Sequence, residues 1–395
     1  MADIRQYRKE KENIAEDDYE TRIRNHRIKL MRMFIVIAAV VIVAILIFSL
    51  SRHKTSYSSY KTETSMRRKD SGYSEYISMN DHIVHISRDG ISYMTYGGSQ
   101  VWNYTFEMNN MTVEHSGSYI AVADINGNEI HTYGESGHIA DINTSLPILQ
   151  MCVSKAGYVV VVVEDKNADY IHMYSVKGEK IYTIKKTIGI DGVPISVSVS
   201  EDGEKLIAAF TGIEGSLLKT SIVFYNFNEV GQNENERVVG GYDFGTTMVG
   251  RVEFINGVTA VAFAEDKICV YNIREYPKLT KEIKIDYEIN HIFTSPNAFG
   301  VIHKDAESGA NKLEIYDSSG ELVYGCDIKD SYTNYKFSGA NVLMYDDLNC
   351  KIITLKGKNV FSHTFENGIS NIVPINGKDE FIFIDREYIK KIKLK

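Results

Sequence analysis

The side chains able to do chemistry are sparse, and their spacings mostly argue against a shared site. His82 and His85 lie three apart in a β-branched run. Side chains of a strand alternate faces, so these two point to opposite sides and cannot share a metal from one regular strand. Asp165, Asn167 and Asp169 place oxygen ligands at alternate positions, as the start of a calcium loop does. That loop needs Gly at its sixth position and Glu at its twelfth, where Tyr170 and Val176 stand. A polar hairpin turn is the better reading. Asp346-Asp347 lacks even the alternate spacing, and Asp124 beside Ile125-Asn126-Gly127 reads as a turn residue. No Gly-x4-Gly-Lys-Ser/Thr, His-Glu-x-x-His or Gly-x-Ser-x-Gly occurs. Trp102 is the single Trp, too little for a stacked quinone platform, and is assigned to packing. Beyond residue 70 only Arg88, Arg237, Arg251, Arg274 and Arg386 could fix an anionic substrate bidentately. Cys152 and Cys269 sit in apolar runs as small core residues. A Cys326–Cys350 disulfide would need demanding geometry. The expectation is no catalytic residue, no cofactor and no metal ligand.

The elements that carry these residues fall into unequal parts. Residues 1–32 hold nine Lys/Arg against seven Asp/Glu, residues 33–50 hold no charge, and residues 51–395 carry a net −10. An acidic, Arg-poor domain lacks the dense basic face of a nucleic-acid binder. From Met33 to Leu50 the chain reads MFIVIAAVVIVAILIFSL. As a helix this run spans about 27 Å at ~1.5 Å per residue, close to the ~30 Å hydrocarbon core. It is longer than a signal-peptide apolar region, and Phe48-Ser-Leu-Ser-Arg52 is a poor cleavage site. One transmembrane helix is therefore expected. The eleven residues before it hold five cations and the eleven after it three, which favours a cytoplasmic N-terminus. The expected division is a cytoplasmic charged tail (1–32), the span (33–50), a Tyr/Ser-rich stalk (51–71) and an extracytoplasmic domain (72–395) at the cell membrane.

The large domain repeats. Short runs of β-branched and aromatic residues alternate with Gly/Asn/Asp turns about every 40 residues. Each unit has a first strand, an apolar second strand, a third strand often carrying Tyr and a more polar fourth. Ile195–Val199, Leu206–Phe210, Ser221–Asn226 and Val238–Phe244 form one such unit. First strands are placed near 74, 111, 148, 194, 249, 289, 332 and 369. Four antiparallel strands per unit define a β-propeller blade. The fold expected is thus an all-β propeller of about eight four-stranded blades, preceded by the transmembrane helix. The last unit, Gly368–Lys395, holds three strands. A segment near Tyr60–Ile77 would supply the fourth, or else the count falls to seven.

Short motifs carry a resemblance. Ser87–Gly90 and Ser200–Gly203 are Ser-x-Asp-Gly turns like those of WD40-type blades, and Gly98-Ser-Gln-Val101-Trp102 resembles the Gly-x-x-Val-Trp of quinoprotein-like blades. With Asp89–Ser92, Val101–Asn103, the charged tail, the span and the Tyr/Ser/Lys stalk, the whole plan resembles a clostridial membrane-anchored propeller family, domain of unknown function 5711. The resemblance implies a bacterial envelope setting and carries no activity.

The leading expectation is a membrane-anchored extracytoplasmic binding or scaffold module with an envelope protein or polymer as partner. The polar Asn226–Arg237 insertion is a candidate contact. The alternative is an extracytoplasmic hydrolase or oxidoreductase with a central-channel site. Acids, His or Arg at the channel would favour the enzyme, and a Tyr/Asn/Ser lining would favour binding.

Overall fold

Runs of Val, Ile, Tyr and Phe cut every few residues by Gly, Asn and Asp form strands of five to ten residues rather than helices. The structure is a computed structural model that describes residues 29–43, 56–68, 74–305, 309–328, 332–375 and 379–395. From Tyr57 onward the chain forms eight four-stranded antiparallel sheets. In blades one to seven the four strands follow chain order across the sheet. The first strands touch one another between blades two to five, six and seven, and eight and one, so each blade runs from the axis outward. They begin at Ser74, Met111, Ile148, Val193, Val249, Ile289, Asn334 and Asn371, within two residues of the expected starts.

Each second strand is buried on both faces. Val159 to Val163 are at most 1% exposed, and Phe381 to Ile384 at most 3%. One face packs on the preceding blade and the other on the next. In blade one, Tyr76 and Ile83 join Ile382 and Ile384 of blade eight, whereas Ile77 and Tyr93 join Ile120 and Tyr133 of blade two. Eight such apolar clusters link the blades pairwise right round the ring. A single blade would leave both of these faces in water, so the blades are stable only as a closed set.

Closure joins the two ends of the domain. Blade eight takes Asn371–Ile375, Glu380–Ile384 and Tyr388–Leu394 from the C-terminal end. Its outermost strand is Tyr60–Arg67, with Tyr60 opposite Leu394 and Met66 opposite Ile389. This fixes the count at eight. It also corrects the expected stalk: Tyr60–Arg67 lies within 51–71 but is a strand of the propeller, because the edge of Tyr388–Leu394 needs a hydrogen-bonding partner.

A feature not foreseen recurs in all eight blades. The register between third and outermost strand slips in every blade, skipping Val101, Ile139, Ile181, Val239, Thr280, Val323 and Val360 in blades one to seven and Glu63 in blade eight, with a second slip in blade four that skips Phe244. A bulge of this kind adds twist and inverts which face the following side chains point to. Strict alternation, assumed from the sequence, fails at these positions.

Blade four departs from the others. Its second and third strands, Lys205–Glu214 and Leu217–Asn226, run ten residues each and project as a hairpin turned at Gly215, whose φ is +65°. The Asn226–Arg237 insertion is ordered. Asn228 caps a short helical turn by accepting from Val230 N–H (2.9 Å), Tyr276 of blade five donates to Glu234 (2.8 Å), and Arg237 lies over the Tyr182 ring of blade three.

Residues 29–43 are helical, and Phe34, Ile35, Val36, Val40 and Ile42 expose about 58–67% of their surface. Among the described residues no helix is long and apolar enough to cross a membrane. The expected span from Met33 to Leu50 continues through 44–50, which lies outside the described residues, as do tail residues 1–28.

Candidate axial binding site

The first strands enclose a cavity of ≈ 810 Å³ at the ring axis. Its wall follows from alternation. In Val193–Val199 the Val side chains of 197 and 199 enter the blade-three/blade-four core, while Ser196 and Ser198 turn to the neighbouring blade. There Ser196 Oγ accepts from Val252 N–H (3.0 Å) and Ser198 Oγ from Phe254 N–H (2.9 Å). These hydroxyls satisfy donors of an inner strand that no fifth strand can pair.

Charged groups of the channel are tied in the same way. Arg251 Nη2 lies 2.6 Å from Glu253 Oε2, and Thr294 of blade six donates its hydroxyl to Glu253. Lys336 of blade seven donates to Asn371 Oδ1 of blade eight (3.0 Å), which also accepts from Tyr345 (2.9 Å). Burial lowers the Lys336 pKa from its ordinary value, against the pull of Glu75. Burial first, then the repulsion of Glu253, pushes the Glu114 carboxyl up from 4.5 to about 7, with Arg251 opposing. Burial, helped by Lys336, lowers His115. The channel thus holds both linings weighed from the sequence: acids, His and Arg, and also Ser and Asn.

The residues singled out by sequence do not gather here. His82 stacks on Tyr93 (4.5 Å) and His85 against Tyr76 (4.9 Å), on opposite faces of one strand. Asp165 accepts from Lys166 N–H (2.7 Å) and its own N–H closes on Ala168 O (3.1 Å), which makes the hairpin turn expected; Asp169 is buried. Asp346 caps its turn through Leu348 and Asn349 N–H, with Asp347 beside it, and Asp124 holds Asn110 N–H (2.6 Å). Trp102, on the outermost strand of blade one, stacks with Tyr93 and Tyr133 and donates to Glu135 O (2.9 Å), a packing role across the first seam. All four cysteines are free, so Cys326 and Cys350 are unbridged; Cys269 and Cys350 are buried, while Cys152 is half-buried at the channel wall. Arg251 was noted only as one of five scattered Arg, and Glu114 and Glu253 went unnoticed because Glu114 lies more than 130 residues from the Arg251/Glu253 pair. Only their shared place in first strands could have grouped them.

Solved structures share the ring. BamB from Moraxella catarrhalis superposes with a TM-score of 0.55 at 13% identity, covering 85% of this chain and 100% of its own. Saccharomyces cerevisiae Sqt1 gives 0.55 at 11%, covering 85% and 99%. Chaetomium thermophilum Sqt1, bound to the N-terminus of ribosomal protein L10, gives 0.52 at 10%, covering 87% and 100%. At these identities the likeness is one of fold. No curated protein matches the chain. The model of DUF5711, a family of unknown function, matches residues 52–394, and the chain belongs to that family.

Proposed function

We propose that the chain is a non-catalytic binding module at the cell envelope, tethered by a membrane helix over 33–50, with its propeller extracytoplasmic and a protein partner docked on blade four. The observation that carries this reading is the projecting hairpin. Ile213, Leu217 and Leu218 are 78%, 56% and 45% exposed, and Ile190 beside them 85%. Ile190, Ile213 and Leu218 line one cavity of ≈ 680 Å³. Contiguous apolar surface of this kind marks interaction sites. The channel, by contrast, ties Arg251, Glu253 and Lys336 to groups of its own wall. The apolar, exposed helix of residues 29–43 between cationic flanks supports the tether. The net −10 beyond residue 50 supports a partner other than nucleic acid. Chaetomium Sqt1, a ring of the same fold, holds a protein segment.

A photo-crosslinking residue at Leu217 in cells should yield a discrete protein adduct, and one at exposed Lys356 of blade seven should not. Equal adducts from both positions, or none from Leu217, would contradict the docking surface.

A second reading has one observation in its favour: a carboxyl held near 7 beside a second carboxylate, Glu114 by Glu253, suits general acid–base work on a substrate in the channel. Under that reading Glu114→Gln abolishes hydrolase or oxidoreductase turnover. Under the binding reading the variant leaves the Leu217 adduct unchanged.

A further inference from the structure

Three side chains outside the channel converge at the rim of blade two. His131 lies on its third strand, Glu129–Gly134, and His138 and Asp141 on its outermost, Gly137–Asn143. His131 Nδ1–H and His138 Nε2–H both donate to the same oxygen, Asp141 Oδ1, at 2.6 and 2.7 Å. The three ligand atoms all lie within 4.8 Å of one another.

The bulge creates this meeting. His131 faces Asp141 directly across the pair, and Tyr133 faces His138. Ile139 is skipped by the register, so His138 and Asp141, three apart, share a face that regular alternation would deny them. The imidazoles are held in place. Phe106 of the first seam stacks on His131 (5.4 Å, 14°), and Tyr104 and Tyr133 flank His138, each at 5.7 Å. Tyr104 packs over Gly137, where φ is +111° and an added Cβ would lie 2.8 Å from the Tyr104 hydroxyl oxygen. Asp141 is 66% exposed and free to adjust.

We propose that His131, His138 and Asp141 form a surface site for a divalent transition-metal ion such as zinc. Two imidazoles and one carboxylate are the borderline donor set that such ions take, with the remaining position open to water or to a donor from a partner. Zinc–ligand bonds of about 2.0–2.1 Å in a tetrahedral site put donor atoms about 3.3 Å apart. The two hydrogen bonds must therefore open by under about 1 Å, within reach of an exposed carboxylate, and the two ring nitrogens, at most 4.8 Å apart, must settle at the same separation by a small tilt of the exposed His138 ring. Each ring first gives up to solvent the proton it donates to Asp141, and as the neutral tautomer protonated on its far nitrogen it binds the metal through the nitrogen so freed. Harder ions such as calcium and magnesium prefer all-oxygen sites and fit poorly. The proposal is independent of the docking surface on blade four and departs from the absence of metal expected from the sequence.

The test uses the full-length chain, stripped with chelator and then titrated with Zn²⁺ alone against a competing indicator, and with Co²⁺ followed by its visible absorption. The wild type should bind one more equivalent than Asp141→Asn and His138→Gln, with affinity at that site falling at least about tenfold in either variant, the loss that even an outer-shell change causes. Subtracting variants removes the contribution of other His and Cys. Co²⁺ should give saturable four- or five-coordinate bands in the wild type only. Identical stoichiometry and affinity in all three proteins, or no saturable Co²⁺ bands in the wild type, would overturn the site. If one variant misfolds by circular dichroism, the other and the wild-type Co²⁺ spectrum still decide.

Discussion

Blades one and two each carry a pair of chemically capable side chains three positions apart on one strand, with opposite outcomes. His82 and His85 occupy a strand whose register is unbroken on both sides, so one ring joins the seam with blade two and the other the seam with blade eight. His138 and Asp141 straddle Ile139, and the slip there turns both toward His131. Spacing alone therefore does not decide whether two side chains meet. The count of residues that the partner strand accepts between them does.

The sharpest way to break the comparison is to delete Ile139. Regular pairing would return, His138 or Asp141 would change face, and the extra zinc equivalent should be lost entirely. Retention of zinc by a folded deletion variant, measured by the same titration, would show that the bulge is not what assembles the triad. A smaller effect contrasts the rim with the channel. Glu114 has its folded pKa raised to about 7 against 4.5, so the folded state binds more protons than the unfolded state between those values. Its contribution favours folding below about 4.5 and is lost as pH rises to about 7, at most about 3 kcal/mol. Glu114→Gln should flatten the fall in Tm across this window and raise Tm at pH 8. An unchanged pH profile would remove Glu114 from the account. The smallest effect concerns His82. His82→Ala forfeits its stack on Tyr93 and should cost about 0.5–1 kcal/mol in denaturant unfolding, with zinc binding unaltered. Altered zinc binding in this variant would mean that the unbulged pair also ligates.

The blade plan was legible because a second strand buried on both faces and a turn after it are local signals. Val159–Val163 and Ser200–Gly203 announce themselves. The closing strand was half legible: the last unit held only three strands, which pointed to a segment near Tyr60–Ile77, but Tyr60–Arg67 is mostly polar and its partner Tyr388–Leu394 is more than 300 residues away. The rim triad was not legible, because a bulge is a property of two strands and Ile139 looks in sequence like any inward residue. The channel was not legible either, since Glu114, Arg251, Glu253 and Lys336 meet only when the ring closes. The projecting hairpin of blade four hid for another reason: Ile213, Leu217 and Leu218 read as core by type, and only the extra length of both strands carries them into solvent.

The central functional claim is a tethered propeller on the outer side of the membrane. Introduced cysteines test it directly: Ser216→Cys at the exposed hairpin turn and Ala2→Cys in the tail, each labelled in intact cells with a membrane-impermeant maleimide against a wild-type background. The account predicts labelling of Ser216→Cys in intact cells and of Ala2→Cys only after lysis. Labelling of Ala2→Cys with protection of Ser216→Cys, or recovery of the full-length chain in the soluble fraction, would contradict it.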